Sequence, residues 1–415
     1  MEHVALSPEP PHHEFTALGL KYKNPWPSAA FPSVSKLFSG GWLGLPDYAL
    51  REAALKGTGV QDVKVVRPDW GRRRLKEMRR AAPPSDTADF LVATWLGHAG
   101  AFVEIPLSPP VGVASSSSSR PPTLKCLFDP IFSQRAGPIK RMRESPCTVE
   151  DLPGVHVVFI SHNHYDHLDL ATIQAVVRLY PRTLYCVPLG NKAWFISLGI
   201  HPAHIFELDW WDEIDLPASF FTRPSRYDAS SSGEEEEEEE KPRGREERVR
   251  VTCLPAQHTS GRGVCDQRAT LCDTGYRPFQ DSPDVCPAFA RLGRHFGPLD
   301  LAFLPIWRGG TLGFVSSMSL RLRHENLPCA THGSPGDAVA IHLDVKSRNT
   351  IGVHFGTFEG SNLEALEALT DLEAARKKAG VRSLRNEKQG KRGRLGWLNL
   401  GESFVVRVVE QYVPQ

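Results

Sequence analysis

The chain has 415 residues, of which 40% are hydrophobic and 23% charged, and its net charge is +1. That length allows a sizeable apolar core in a globular protein. A balance so close to neutral creates no global field that would recruit nucleic acid, and no zinc-finger, RRM or KH pattern is present.

The eight cysteines contain no C-x-x-C pair. They are expected to be free thiols in a reducing compartment. The first residues, "MEHVALSPEPPHHEF", are polar and broken by proline, unlike a signal peptide. No apolar run approaches the roughly 20 residues that span a bilayer. The expected place is intracellular and cytoplasmic, with any membrane association peripheral.

Residues 1–88 are rich in proline and charge and read as an N-terminal extension, partly ordered. Within it, "NPWPS" (Asn24 to Ser28) and "GGWLGLPDY" read as packed turns, since a tryptophan among prolines suits a fixed anchor. "WGRRRLKEMRR" (Trp70 to Arg80) carries six basic residues and one acidic one. It is either a solvated helix face or a patch for an anionic membrane surface, where each cation contributes ~1 kcal/mol.

One layered domain is expected over 89–415. Its predicted strands are "FLVATWL", "AFVEI", "LKCLFD", "HVVFIS", "LYCVP", "VRVTCL", "LAFLP", "TIGVHF" and "FVVRVVEQY". Several are continuous apolar runs, as in strands covered on both faces. Helices are predicted between them. Leu170 to Tyr180 follows Asp169 as N-cap. A second follows Ser334, with Pro335 at its first position and Asp337 in a capping box. "NLEALEALTDLEAARKKAG" is amphipathic and ends at Gly380. The alternation argues for an α/β fold. Two low-complexity inserts, 108–122 and 228–247, read as linkers; the second holds seven consecutive glutamates, which repel one another.

The densest chemistry is "SHNHYDHLD" (Ser161 to Asp169), directly after an apolar strand. Its pattern is H-x-H-x-D-H: His162, His164, Asp166 and His167. Imidazole and carboxylate together suit zinc. Two histidines at i and i+2 face one metal, and the Asp-His pair one turn later faces a second. Core packing explains four such side chains in six positions poorly, because buried ionisable groups must be paired or metal-bound. Further ligands are expected past other strand ends, at His258, Asp273 and His354.

The set "NPWPS", "TWLGHAG", "FDPIFSQRAGP", "SHNHYDHLD", "ELDWWDE", "PAQHTSGRG", "DTGY" and "IGVHFGTF" resembles the N-acyl-phosphatidylethanolamine-hydrolysing phospholipase D family, fungal-type, in the metallo-β-lactamase superfamily. The resemblance runs from Asn24 to Gly360 and implies a four-layered αββα sandwich. It implies two Zn2+, one held by His162, His164 and His258, the other by Asp166, His167 and His354, with Asp273 bridging. It also implies that a zinc-bound hydroxide attacks phosphorus, releasing an N-acylethanolamine and phosphatidic acid. Asp166 would orient the water or carry its proton. The phospholipid would be met at a membrane surface, and a homodimer is compatible with the resemblance.

His332 falls where the family has a histidine near the substrate phosphate; an exposed loop histidine is an equal reading. His98 reads as a structural neighbour below the site. His12, His13, His201, His204, His295, His324 and His342 have no partner pattern and read as surface or structural. "WRGGTLGFVSSMSLRL" (Trp307 to Leu322) reads equally as an acyl-chain groove or a buried core segment. The chain departs from the family between His258 and Asp273, where relatives are longer by about one β-hairpin. A thinned or irregular sheet is expected beside Asp273, with activity reduced. Two alternatives stay open: another hydrolase on the same scaffold, such as a lactonase or cyclic phosphodiesterase, and a catalytically impaired homologue that only binds.

Overall fold

The computed structural model describes residues 12–16, 19–30, 43–44, 48–81, 89–107, 122–222, 248–260, 268–270, 274–307, 321–322, 329–358, 362–386, 388 and 390–408. The seven-glutamate insert, the serine-rich insert up to Pro121, Asp273 and most of Trp307 to Leu322 lie outside the described residues.

A hairpin of β1 (His13–Thr16) and β2 (Gly19–Tyr22) precedes the helices α1 (Tyr48–Gly57) and α2 (Arg72–Ala81). Next come β3 (Phe90–Gly97), β4 (Gly100–Pro106), β5 (Thr123–Phe128) and β6 (Val157–Phe159). Then α3 (Leu170–Leu179), β7 (Leu184–Pro188), α4 (Lys192–Ser197) and β8 (Ile205–Leu208) alternate. Two antiparallel pairs follow, β9 (Glu213–Pro217) with β10 (Arg248–Thr252), and β11 (His258–Ser260) with β12 (Arg268–Thr270). The last third holds α5 (Pro287–His295), β13 (Ala302–Pro305), α6 (Pro335–Asp344), β14 (Asn349–Val353), α7 (Asn362–Lys378), β15 (Arg382–Ser383), β16 (Arg394–Gly396) and β17 (Ser403–Arg407).

Seven strands form one sheet in the order β8-β7-β6-β5-β4-β3-β17, and four form a second in the order β13-β14-β16-β15. Side chains alternate across a strand, and the seven-stranded sheet uses both faces. Ala93, Trp95, Val103, Cys126, Val157 and Cys186 point to one side. There they pack with Leu304, Ile351, Val353 and Leu395 of the second sheet, and with Ala338, Val339, Ala368 and Leu369 of α6 and α7. Their sequence neighbours Leu96, Phe102, Leu127, Val158, Tyr185 and Val187 point the other way, onto Ile173 and Val176 of α3 and Phe195 of α4. The layers are therefore helix, sheet, sheet, helix, the expected αββα sandwich.

The predicted helix caps are present. The Asp169 carboxylate accepts the Thr172 N–H, and Ser334 and Asp337 form a reciprocal capping box. "HVVFIS" forms a shorter strand than its apolar run predicts. Past Ile160, the Ser161 N–H turns to the Asp129 carboxylate instead of a strand partner. The strands β15 and β16 are too short and polar to show as periodic runs. "NPWPS" forms a packed turn, with Trp26 and Ser28 buried. Trp26 and Val63 join the central core, and Val65 bridges to Leu400, so the N-terminal segment packs against the layered domain. The six described cysteines, all buried except the half-buried Cys253, carry free thiols.

His156, just before β6, accepts the Lys125 backbone N–H through Nδ1 and so joins β5 to β6. Burial, with Lys125 and Arg182 nearby, pushes its imidazole down from 6.5 to about 4. The unfolded chain binds that proton at the higher pH, so acid favours unfolding. Stability contributed by neutral His156 is complete above pH 6.5 and is lost as pH falls to about 4, by at most about 3 kcal/mol. Urea midpoints of chelator-treated protein across this range should fall less steeply for His156→Asn than for the wild type. Equal slopes would refute this assignment.

Candidate metal centre

The H-x-H-x-D-H segment is held between a strand end and a capped helix. His162 lies three residues beyond β6, and Asp169 caps α3. Between them the Leu168 N–H reaches the His164 carbonyl at 2.9 Å, closing a turn that sends the side chains to two sides. On one side are His162, His164 and His258, whose donor atoms all lie within 4.8 Å of one another. His162 Nε2 is 2.9 Å from His164 Nδ1. On the other side are His98, Asp166, His167 and His354, within the same limit. Asp166 Oδ2 is 2.8 Å from His98 Nε2, 3.8 Å from His167 Nε2 and 4.0 Å from His354 Nε2.

The two groups adjoin. The rings of His162 and His167 are 4.1 Å apart. His332 is buried between them, 4.9 Å from the His258 ring and 5.0 Å from the His354 ring. Both sheets contribute. Asp129, His98 and His354 directly follow β5, β3 and β14, and each has a positive φ, of 38°, 50° and 62°. This left-handed conformation costs a non-glycine residue energy and persists only where its surroundings impose it. Here it turns each side chain off its strand end into one space. The His354 N–H is fixed by the His98 carbonyl, and the His98 N–H by Thr357 Oγ1.

A second layer orients the rings. His167 Nδ1 is 2.9 Å from Asp129 Oδ2, and Asp129 also accepts the Ser161 N–H and hydroxyl. His258 Nδ1 donates to the Thr331 carbonyl at 2.9 Å. Both bonds leave Nε2 as the inward nitrogen, and the Nε2 atoms of His167, His258 and His354 are buried with no hydrogen bond among the described residues. Buried nitrogens aimed at a carboxylate from 3.8–4.0 Å are too far for hydrogen bonds but suitably spaced to share an ion. The donor set, imidazole with carboxylate, fits zinc or a similar metal. Burial alone would raise the Asp166 carboxyl, but His167, His98 and His354 outweigh it and hold it well below the usual carboxylate range.

His162, His164, Asp166, His167, His258, His354 and His332 are thus brought together. His98 is not merely below the site: its Nε2 is among the donors. Asp273 is outside the described residues, but its flanks are pinned. Thr270 is paired with His258, and the Gly275 N–H bonds the Gln257 carbonyl at 2.8 Å. Gly275 is also pressed against the 329–333 loop, where an added Cβ would lie 1.9 Å from the Ala330 carbonyl oxygen. Among the described residues, 258–260 pair antiparallel with 268–270. The ladders β9–β10 and β11–β12 stand apart from the four-stranded sheet.

Sequence reasoning missed two supports. Asp129 was legible as an acid directly after the apolar strand "LKCLFD". Asn24 gave no such signal: its side chain donates to the His258 carbonyl at 2.9 Å across more than two hundred residues. Beside it, Ser28 Oγ and Gln257 Oε1 are 2.6 Å apart, and Gln257 Nε2 donates to the Ser28 and Ala330 carbonyls.

The Beta-lactamase superfamily domain matches residues 125–355, more than half of the chain. The chain is 30% identical over 307 residues to N-acyl-phosphatidylethanolamine-hydrolyzing phospholipase D 1 of Caenorhabditis elegans, covering 69% of this chain and 70% of that one. It is 25% identical over 273 residues to the mitochondrial N-acyl-phosphatidylethanolamine-hydrolyzing phospholipase D of Saccharomyces cerevisiae, covering 60% and 47%. Among solved structures, the metallo hydrolase Igni18 of Ignicoccus hospitalis matches with a TM-score of 0.43 at 13% identity, over 77% of this chain and 100% of that one.

Asp129→Ala should weaken metal binding about 10–100-fold, the usual cost of losing the carboxylate behind a ligand imidazole. Competition with a chromophoric chelator measures it. An unchanged affinity would remove Asp129 from the site.

Proposed function

The chain belongs to the β-lactamase superfamily and, within it, to the N-acyl-phosphatidylethanolamine-hydrolysing phospholipase D family of metal-dependent hydrolases, and from that membership we propose that it cleaves the phosphodiester of N-acyl-phosphatidylethanolamine. The products are an N-acylethanolamine and phosphatidic acid. The observation that carries this reading is the meeting of two ligand clusters at one end of the sandwich, with His332 between them.

His162, His164 and His258 would hold one zinc, Asp166, His167 and His354 the other, and Asp273 would bridge. When bound, zinc acidifies water and offsets charge on a phosphoryl oxygen. The chain's own groups do the rest. Asp166, kept ionised by the surrounding rings and oriented by His98, would orient the attacking water or carry its proton. His332, beside the His258 and His354 rings, would donate to a phosphate oxygen or the leaving oxygen. Asp129 and the Thr331 carbonyl fix the ring tautomers, so the site needs little reorganisation during the reaction.

The lipid is met at a membrane surface. No helix among the described residues is long and apolar enough to cross a membrane. α2 turns Leu75 inward against Val92 and Val405 and exposes Arg72, Arg73, Lys76, Arg79 and Arg80. Those cations would attract an anionic leaflet by about 1 kcal/mol each.

Metal analysis should find two zinc ions in these clusters. His164→Ala should lose metal there and turnover of N-acyl-phosphatidylethanolamine together, and His332→Ala should retain metal while losing turnover. Wild-type protein that is folded and metal-loaded yet releases no N-acylethanolamine would overturn the substrate assignment.

A further inference from the structure

We propose a further metal-binding site, separate from the centre above, in which His12, His13 and Asp209 hold one zinc or similar divalent ion and clasp the N-terminal arm to the domain. His12 Nε2 lies 3.1 and 3.3 Å from the two Asp209 oxygens, and His13 Nε2 lies 2.8 Å from Oδ2. The donor atoms are all within 4.8 Å of one another. Bonds of about 2.0 Å to a tetrahedral ion space neighbouring donors about 3.3 Å apart, so small movements open room for one.

The chemistry favours an ion over a simple pair. A histidine–carboxylate contact needs one ring, but here two successive residues turn Nε2 to the same carboxylate, their rings 4.1 Å apart. Two imidazolium groups that close repel each other. A divalent ion uses both rings in the neutral form, and two imidazoles with a carboxylate leave a fourth position for solvent.

The donors are also oriented from behind. The His12 ring stacks on Trp210 at 4.3 Å, and Trp210 stacks on Trp26 at 5.2 Å. Asp209 Oδ1 accepts the Trp210 N–H, and the Asp209 N–H is held by Asp212. Two residues before Trp26, Asn24 bonds the His258 carbonyl. The ion would therefore fasten the arm that braces a ligand of the main centre.

The test is metal stoichiometry of the full chain by mass spectrometry. Wild-type protein should hold one ion more than His12→Gln or His13→Gln. His164→Ala, which disturbs only the main centre, should keep that ion. Titration with Ni2+ gives a second readout, since the ion would sit beside Trp210. Tryptophan fluorescence should be quenched in the wild type, and the saturable phase should be lost in the His12→Gln, His13→Gln double variant. Equal stoichiometry in the wild type and both single variants, or equal quenching in the double variant, would overturn the proposal.

Discussion

The structure is organised around the burial of imidazoles beside a carboxylate. His162, His167, His258 and His354 are almost fully removed from water, His167 and His354 beside Asp166 and His162 and His258 in the adjoining group. Such groups are costly to bury unless they are paired or coordinate an ion. A cation resolves the cost only if every nitrogen points inward at once. That requirement explains why three residues at strand ends adopt left-handed backbone and why Asp129 and the Thr331 carbonyl occupy the outward nitrogens.

The sandwich makes this convergence possible. The parallel strands β5, β6, β13 and β14 direct their carboxyl ends to one edge, so residues far apart in sequence leave the sheets side by side. The contacts around Gln257 and His258 then draw in the N-terminal arm and the 329–333 loop. The arm is thus part of the site's support, through Asn24 and Ser28, although it lies outside the layered domain in sequence. The short connection after His258 is accommodated by a three-residue ladder that returns the chain to His258. The same ladder packs against β2 of the arm, so the altered segment and its brace are in contact.

Local chemistry was readable without coordinates where short-range physics decides it. Period-two and continuous apolar runs located the long strands. Asp169 and the Ser334–Asp337 box marked two helix starts, because side-chain capping is a contact over three residues. H-x-H-x-D-H announced a metal centre because so many ionisable groups after an apolar strand have few other uses. β15 and β16 were illegible, being two- and three-residue strands with charged members. His332 was ambiguous because one loop sequence serves a solvent-facing turn or a buried one equally well.

By itself, then, the sequence determined the layered α/β class, the principal candidate metal-binding segment and the candidate ligands beyond other strand ends, since each rests on periodicity or on local residue chemistry. Only the tertiary structure decided that His98 joins one of the two groups, that Asp129 and Asn24 stand behind the candidate ligands, and that His12 and His13 share Asp209. These are contacts between residues with no pattern linking them along the chain. They arise from the aligned strand ends and the return of the arm across the sheets, which only the packed fold brings about.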